Sequence, residues 1–271
     1  MRKKQYPPPR LSFRASLTVG CLLGVLAGTS ALHGDSVSVD NLVAKAAENY
    51  AARATRSDDY VYSERIQNIN YDGQGKVVLR VSDSYDIVVV EGAPYRIRTA
   101  HNDQPLSAGD EKKENEKLAA VTKARRSGDR RMGGPTHSLA FTMPIAQLSS
   151  EFDLRSNGQE QIGGRECELV RATTKPDYKP ENEDDRVASL LELRLWIDLQ
   201  DVEIAKVQAQ VIGEGSRYKP GTVITHEFTK INNEVWLRKR LHLHGYVRDG
   251  RQQVLVDTEQ AYSDYKKFRV N

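Results

Sequence analysis

The segment KVVLRVSDSYDIVVV, residues 76–90, carries the clearest strand pattern of the chain. Its odd-numbered positions are mainly apolar and its even-numbered positions mainly polar, and this period of two is typical of a β-strand with one buried face. The apolar positions are Val77, Leu79, Val81, Tyr85, Ile87 and Val89. The segment therefore predicts a half-buried strand of an antiparallel sheet.

Similar patterns lie on both sides of this strand. Residues 60–67 alternate in the same way and end at the turn-forming DGQG of 72–75, while GAP at 92–94 leads into YRIR at 95–98. After Phe152, further alternating stretches are separated by turns rich in Gly, Asn and Asp. The order predicts a meander of antiparallel strands.

Two longer segments have helical patterns instead. Residues 40–56 are rich in helix formers after Asp40, which can cap a helix. Residues 107–127 place acids early and bases late, as the helix dipole favours, and predict a charged helical insertion near 107–131. A short helix is expected within 139–150, and the acidic stretch 176–187 is expected to be a mobile loop.

The amino terminus has the order of a secretory signal. Five basic residues and no acid fall within residues 1–14, an apolar stretch follows from Ala15 to about Leu32, and Thr29 and Ala31 suit a signal-peptidase site. We expect residues 1–31 to be a cleaved signal peptide and 32–271 to form a single domain in the periplasm. The alternative is an uncleaved signal helix that anchors the chain.

The overall charge follows from this signal. The chain has 40 basic and 37 acidic residues, a net charge of +3. Without the five bases of residues 1–31, 35 bases face 37 acids and the net charge is −2. We therefore expect no nucleic-acid partner. The hydrophobic content of 38% fits a globular domain.

Cleavage would also remove Cys21 and leave Cys167 without a partner for a disulfide. Cys167 lies between Glu166 and Glu168, and these carboxylates are expected to raise the thiol pKa. We interpret Cys167 as a half-buried strand residue rather than a nucleophile.

No GxSxG, HExxH, P-loop or GxGxxG pattern is present, so we expect neither catalytic residues nor a cofactor. His242 and His244 lie two apart on a predicted strand and could share a metal with His226, but a row of arginines beside them opposes a cation. We expect no metal site. The alternative is a face that binds a protein partner or a headgroup, formed by Arg238, Arg240, His242, His244 and Arg248.

The stretch LRLWIDLQDVEIAKV, residues 193–207, resembles the LolA/LolB-like family of periplasmic lipoprotein-sorting proteins, in which an apolar strand ending in Trp-Ile-Asp leads through a short turn to the next strand. The order of elements over residues 40–265 is also similar. The resemblance implies an α+β fold, an open and curved antiparallel half-barrel with helices packed as a lid. It also implies an apolar concavity that shelters acyl chains.

The function implied by this resemblance is non-enzymatic binding of lipid or lipoprotein acyl chains, of the outer-membrane lipoprotein-sorting type. The alternative is an envelope sensor or partner-binding module of the same fold, as in RseB-like proteins, which docks an envelope protein. Peripheral contact with a membrane is compatible with both. No residue here matches the family's ligand-release arginine. Alternation alone selects candidate cavity residues that could equally be core: Val77, Leu79, Val81, Tyr85, Ile87, Leu195, Ile197, Leu241 and Leu243.

Overall fold

A computed structural model describes residues 38–57, 59–129, 143–214, 217–249 and 252–268. The account below concerns the compact unit Val37–Asn271. The predicted signal peptide, its cleavage site and Cys21 lie outside the described residues, as does the first part of the helix expected within 139–150.

Helix α1 spans Val39–Ser57. Ser38 precedes it, and its Oγ accepts a hydrogen bond from the amide of the residue three positions later at 3.2 Å. This bond satisfies one of the amides that a helix leaves open at its N-terminus. The sequence predicts Asp40 as the cap, but Asp40 lies in the first turn. Its negative charge is favourable there because of the helix dipole.

Eleven strands form one antiparallel sheet. Their bounds are β1 Tyr60–Tyr71, β2 Val77–Val90, β3 Ala93–His101, β4 Gln104–Pro105, β5 Phe152–Ile162, β6 Arg165–Thr174, β7 Leu191–Asp198, β8 Glu203–Val211, β9 Val223–Ile231, β10 Val235–Asp249 and β11 Gln252–Lys267.

The strand order is β4-β3-β2-β1-β11-β10-β9-β8-β7-β6-β5. Neighbours in space are neighbours in sequence except for β1 and β11, which join the first strand to the last. The sheet is open, with β4 and β5 at its two edges. This architecture confirms the predicted α+β class, an open antiparallel sheet with helices.

Helix α2 spans Ala108–Arg126, within the segment predicted to be a charged helix. Ser107 caps its first turn, which is acidic, and its last turn is basic. The guanidinium of Arg125 is buried and donates to the carbonyls of Val90, Ala93 and Pro94 at 2.7–2.9 Å. These bonds fix the end of α2 to the turn between β2 and β3.

Two short helices complete the described elements, α3 at Leu148–Glu151 and α4 at Glu183–Ala188. The second corrects the expectation of a loop throughout 176–187. Asn182 caps α4 by accepting from the amide of Asp185 at 3.0 Å. The acids of its first turn face the positive end of the helix dipole, so the acidic run favours the helix that sequence reading missed.

The main hydrophobic core lies between α1 and the strands β5–β10. Val43 and Ala46 of α1 are almost fully buried against Leu193, Val207 and other strand residues. A buried ion pair adds to this contact, because Arg53 of α1 donates to the carboxylate of Glu203 on β8 at 2.6 Å. None of the described helices is long and apolar enough to cross a membrane.

Candidate ligand-binding face

The face of the sheet that carries α1, called the inner face here, can be followed residue by residue through the strand register. Cross-strand partners share a face because their side chains point the same way. One continuous row links β5 to β2 through Ser156, Val170, Leu195, Val207, His226, Leu241, Gln260, Ile66 and Asp83. The row is apolar on β6–β8 and largely polar from β9 onward. The inner face therefore has two halves of different chemistry.

The first half is a filled core. Leu195, Ile197 and Leu243 are at most 1% exposed and belong to the cluster packed under α1. Leu241 is also buried, between His226 and Gln260 in the row described above. These four predicted cavity residues lie on the inner face, at positions that packing already occupies.

The second half comprises the inner face of β11, β1, β2 and β3. Helix α1 makes its main strand contacts with β5, β7, β8 and β10 instead. Val81 and Tyr85 are half-buried on this surface, and Ile87 is buried beside Tyr62. Three of the predicted cavity residues thus lie together where α1 does not cover the sheet.

Val77 and Leu79 lie at the end of the β1–β2 hairpin, where they are 40% and 47% exposed. Leu79 pairs with Asn70 and keeps to the inner face, but Val77 pairs with Tyr71 because Val78 forms a bulge between them. A bulge adds one residue to one strand and so reverses the face of the residues beyond it. Val77 is therefore on the outer face, contrary to the alternation pattern.

A second bulge separates the residues predicted to form the cationic strand face. Arg238 pairs with Phe228, whereas Arg240 pairs with Glu227, so Lys239 is the extra residue on β10. Arg238 consequently faces inward, and the side chains of Arg240, His242, His244 and Arg248 face outward. The prediction that all five share one face is wrong, because a bulge leaves no mark on the alternation of polar and apolar residues.

The outward residues are largely neutralised by strand β11. Arg240 donates to Glu259 at 2.5 Å, and both His242 and His244 lie within 3.2 Å of the carboxylate of Asp257. Arg248 is exposed near the end of β10. His226 faces inward, so it cannot join the other two histidines in a metal site. The described residues contain no group of three His, Cys, Asp or Glu side chains placed to hold a metal.

A set of polar and aromatic side chains occupies the inner face at the junction of the two halves. We call it the inner polar cluster: Tyr62, Glu64, Tyr85, Arg96, His226, Arg238, Tyr262 and Tyr265. Arg96 forms an ion pair with Glu64 at 2.9 Å and lies 3.5 Å from the ring centroid of Tyr85. The rings of Tyr62 and Tyr265 are 5.2 Å apart.

Burial is the largest cause of the pKa shifts of Glu64, Tyr262 and His226 in this cluster. Desolvation raises the pKa of Glu64, while Arg96 and Arg238 act in the opposite direction. Burial also raises the pKa of Tyr262 to about 12. Burial, followed by the charge of Arg238, lowers the pKa of His226 to about 3. Tyr262 and His226 are therefore neutral at physiological pH.

The side chain of His226 is 5% exposed, and its Nε2 atom is buried without a hydrogen-bond partner. A buried polar atom that makes no bond costs about 1–3 kcal/mol, so such atoms are rare and often mark functional positions. Sequence reading noticed His226 only as a third metal ligand. The alternation of β9 places it inward, but its surroundings come from β10 and cannot be inferred from its own strand.

Cys167 is fully buried, and its pKa is raised to about 11. The predicted direction agrees, but the cause differs. Burial contributes most and Asp198 next, whereas the sequence indicated Glu166 and Glu168. A thiol with this pKa is not a nucleophile at neutral pH.

Comparisons with protein-family models and with curated proteins found no match. Several solved structures are similar. A LolA superfamily protein from Nitrosomonas europaea is 12% identical, with 86% of this chain and 94% of that chain covered and a TM-score of 0.36. Lipoprotein LppX from Mycobacterium tuberculosis is 11% identical, with 85% and 97% covered and a TM-score of 0.29.

A complex of MucA and MucB from Pseudomonas aeruginosa is 8% identical, with 86% of this chain and 99% of that chain covered and a TM-score of 0.25. A LolA superfamily protein is thus among the similar structures. Identities below 25% and TM-scores below 0.5 assign neither family membership nor function to this chain.

Proposed function

We propose that this protein is a non-enzymatic, periplasmic binding protein for the acyl chains of a lipid or lipoprotein, and that the chains lie on the inner face of β11, β1 and β2. The observation that carries the proposal is the division of the inner face. One half is packed under α1. The other half has a largely polar central row but also presents the half-buried side chains of Tyr62, Val81 and Tyr85, in strands with which α1 makes few contacts.

The chemistry of the second half suits an amphiphile. Towards the hairpin end, Leu79, Val81 and Val256 offer apolar contact. Towards the other end, Tyr62 and Tyr85 present rings that pack against hydrocarbon, with hydroxyls that can stay hydrated. A ligand with a long apolar chain and a polar end matches this change along the strands.

The alternative, a sensor that docks an envelope protein, would use the outward residues of β10. The geometry favours it less. Arg240 is already paired with Glu259, and His242 and His244 share Asp257, so an acidic partner would have to displace carboxylates that are in place.

Two adjacent residues of β2 provide a matched test. Val81 faces inward opposite Asn68, and Arg80 faces outward opposite Ile69. After delipidation of the purified protein, we expect a fluorescent fatty acid to bind the unchanged protein and Arg80→Asp equally. Val81→Asp should weaken binding about tenfold or more, since a carboxylate placed against an acyl chain loses its hydration.

Circular dichroism of both variants checks that the sheet is intact. No binding to the folded, unchanged protein would refute the proposal. Equal binding by Val81→Asp and Arg80→Asp would also refute it, because the ligand would then lie elsewhere.

A further inference from the structure

Arg238 is a half-buried cation that lies among tyrosine side chains. It lies on the inner face opposite Phe228, and its neighbours are Tyr262, which accepts a hydrogen bond from its guanidinium, and Tyr50 and Tyr62. Tyr265 donates to the Arg238 carbonyl at 2.7 Å and holds the backbone at this position. The neighbours of the Arg238 side chain thus come from β1, β11 and α1.

The charges around Arg238 do not balance. The inner polar cluster contains two guanidiniums, those of Arg96 and Arg238, and one carboxylate, that of Glu64. Glu64 forms its ion pair with Arg96. Among the residues that the structure describes, no carboxylate forms an ion pair with Arg238. Arg238 lies near enough to lower the pKa of the Glu64 carboxyl, but the ion pair of Glu64 is with Arg96. A half-buried cation that forms no ion pair loses hydration without full compensation, which is why such charges in proteins are normally paired.

The hydrogen-bonding capacity is also unequal. A guanidinium has five N–H donors in a planar fork. In the described part of the chain, the guanidinium of Arg238 donates to the Tyr262 hydroxyl, which in turn donates to Gln260 at 3.2 Å. Two oxygens of an oxyanion match the remaining fork, because guanidinium binds carboxylate and phosphate through paired hydrogen bonds.

His226 supplies a second, independent observation. It lies two residues from Phe228 on the same strand, so its side chain points to the same face as Phe228 and Arg238. Its Nε2 atom is buried without a partner. As a neutral imidazole it can carry a hydrogen on that atom and donate it to an anion.

We propose that Arg238, with His226 beside it, is an anion site that binds the oxyanion headgroup of the amphiphile, a carboxylate or a phosphate. This inference rests on the proposed function and deepens it. The acyl chain would extend from Arg238 along the inner face of β1 and β2 towards Val81. Tyr262 is a positioning residue, since it contacts Arg238 through its hydroxyl.

Three ligands with the same chain separate headgroup from hydrocarbon: palmitate, hexadecyl phosphate and hexadecanol. We expect the delipidated protein to bind at least one of the two anions about tenfold more tightly than the uncharged alcohol, the difference that one charge-assisted contact provides. The anion that binds more tightly identifies the headgroup chemistry. Equal affinity for all three would overturn the anion site and leave the proposed function standing. Binding of none would refute the proposed function itself.

Arg238→Met tests the residue, and Arg240→Met is its control on the outer face of the same strand. We expect Arg238→Met to bind anion and alcohol alike, and Arg240→Met to keep the preference. A folded Arg238→Met variant that still prefers the anion would overturn the proposal. If Arg238→Met does not fold, Tyr262→Phe serves as the test of the anion site. It should lower affinity for the anion several-fold and leave hexadecanol unchanged, and an unchanged preference for the anion would overturn the proposal.

Discussion

Arg238 lies directly opposite Phe228 in the β9–β10 pair and therefore shares the inner face with His226. Arg240, two positions along, lies on the other face because Lys239 is a bulge. This one inserted residue separates an arginine held among tyrosines from an arginine in an exposed ion pair. The two positions should respond differently to the same substitution.

Charge reversal tests this separation. Arg238→Glu places a carboxylate beside Glu64 and buried phenols, and we expect a loss of about 3–5 kcal/mol in the free energy of unfolding. Arg240→Glu breaks an ion pair whose side chains are 41% and 35% exposed, and a loss of about 1 kcal/mol or less is expected. Urea unfolding measures both. Equal losses would contradict the assignment of the two residues to opposite faces.

The burial of His226 in its neutral form should make the stability of the protein depend on pH. The pKa of His226 is about 3 in the folded protein, against 6.5 as the ordinary value. Between these values the unfolded chain binds a proton that the folded chain does not, so stability is full above about pH 6.5 and falls as the pH is lowered. We expect His226 to contribute roughly 1 kcal/mol of this loss per pH unit.

Urea unfolding of the unchanged protein and of His226→Gln between about pH 7 and pH 5 isolates this contribution, since all other titrating groups are common to both. The free energy of unfolding should fall less steeply with decreasing pH in His226→Gln than in the unchanged protein. Parallel curves would show that His226 is not buried in its neutral form.

The Arg53–Glu203 ion pair joins α1 to β8 with both side chains at most 7% exposed. Because either charge alone would be buried without its partner, we expect Glu203→Gln and Arg53→Met each to cost about 3–5 kcal/mol. The double substitution should cost clearly less than the sum of the two. Additive losses in urea unfolding would mean that the two charges are not coupled.

Cys167 should be inert in the folded protein. With a pKa of about 11 and no exposed surface, it is thiolate to only roughly one part in a thousand at about pH 8. In a Cys21→Ser background, we expect iodoacetamide to modify Cys167 slowly in buffer and rapidly in guanidinium chloride. Mass spectrometry counts the adduct. Rapid modification under native conditions would contradict the buried position.

The sequence predicts those parts of the fold that local patterns determine. The alternation of residues 76–90 indicates β2, and the charge gradient of residues 107–127 indicates α2, because each pattern is a property of one element. The odd-numbered residues from Val81 to Ile87 share one face of β2, as the alternation predicts, since no bulge interrupts the strand there.

The predictions fail where a bulge changes the face on which a side chain lies, or where its neighbours belong to another strand. Val78 and Lys239 each reverse the face of their neighbours, and a period of two continues through both without a sign of it. The neutralising acids Asp257 and Glu259 belong to β11 and meet β10 through the register. The surroundings of His226 and Arg238 likewise come from several strands, so the inner polar cluster could not be assembled from the sequence.

The central claim is that acyl chains lie on the inner face of β1, β2 and β11. The most direct measurement is photo-crosslinking of the purified protein with a palmitate that carries a diazirine in its chain, followed by mapping of the modified residues. We predict adducts on inward residues such as Tyr62, Val81 and Tyr85, with little modification of the outward Arg80 and Ser84. Adducts confined to outward residues, or none above the level with excess unlabelled palmitate, would contradict the account.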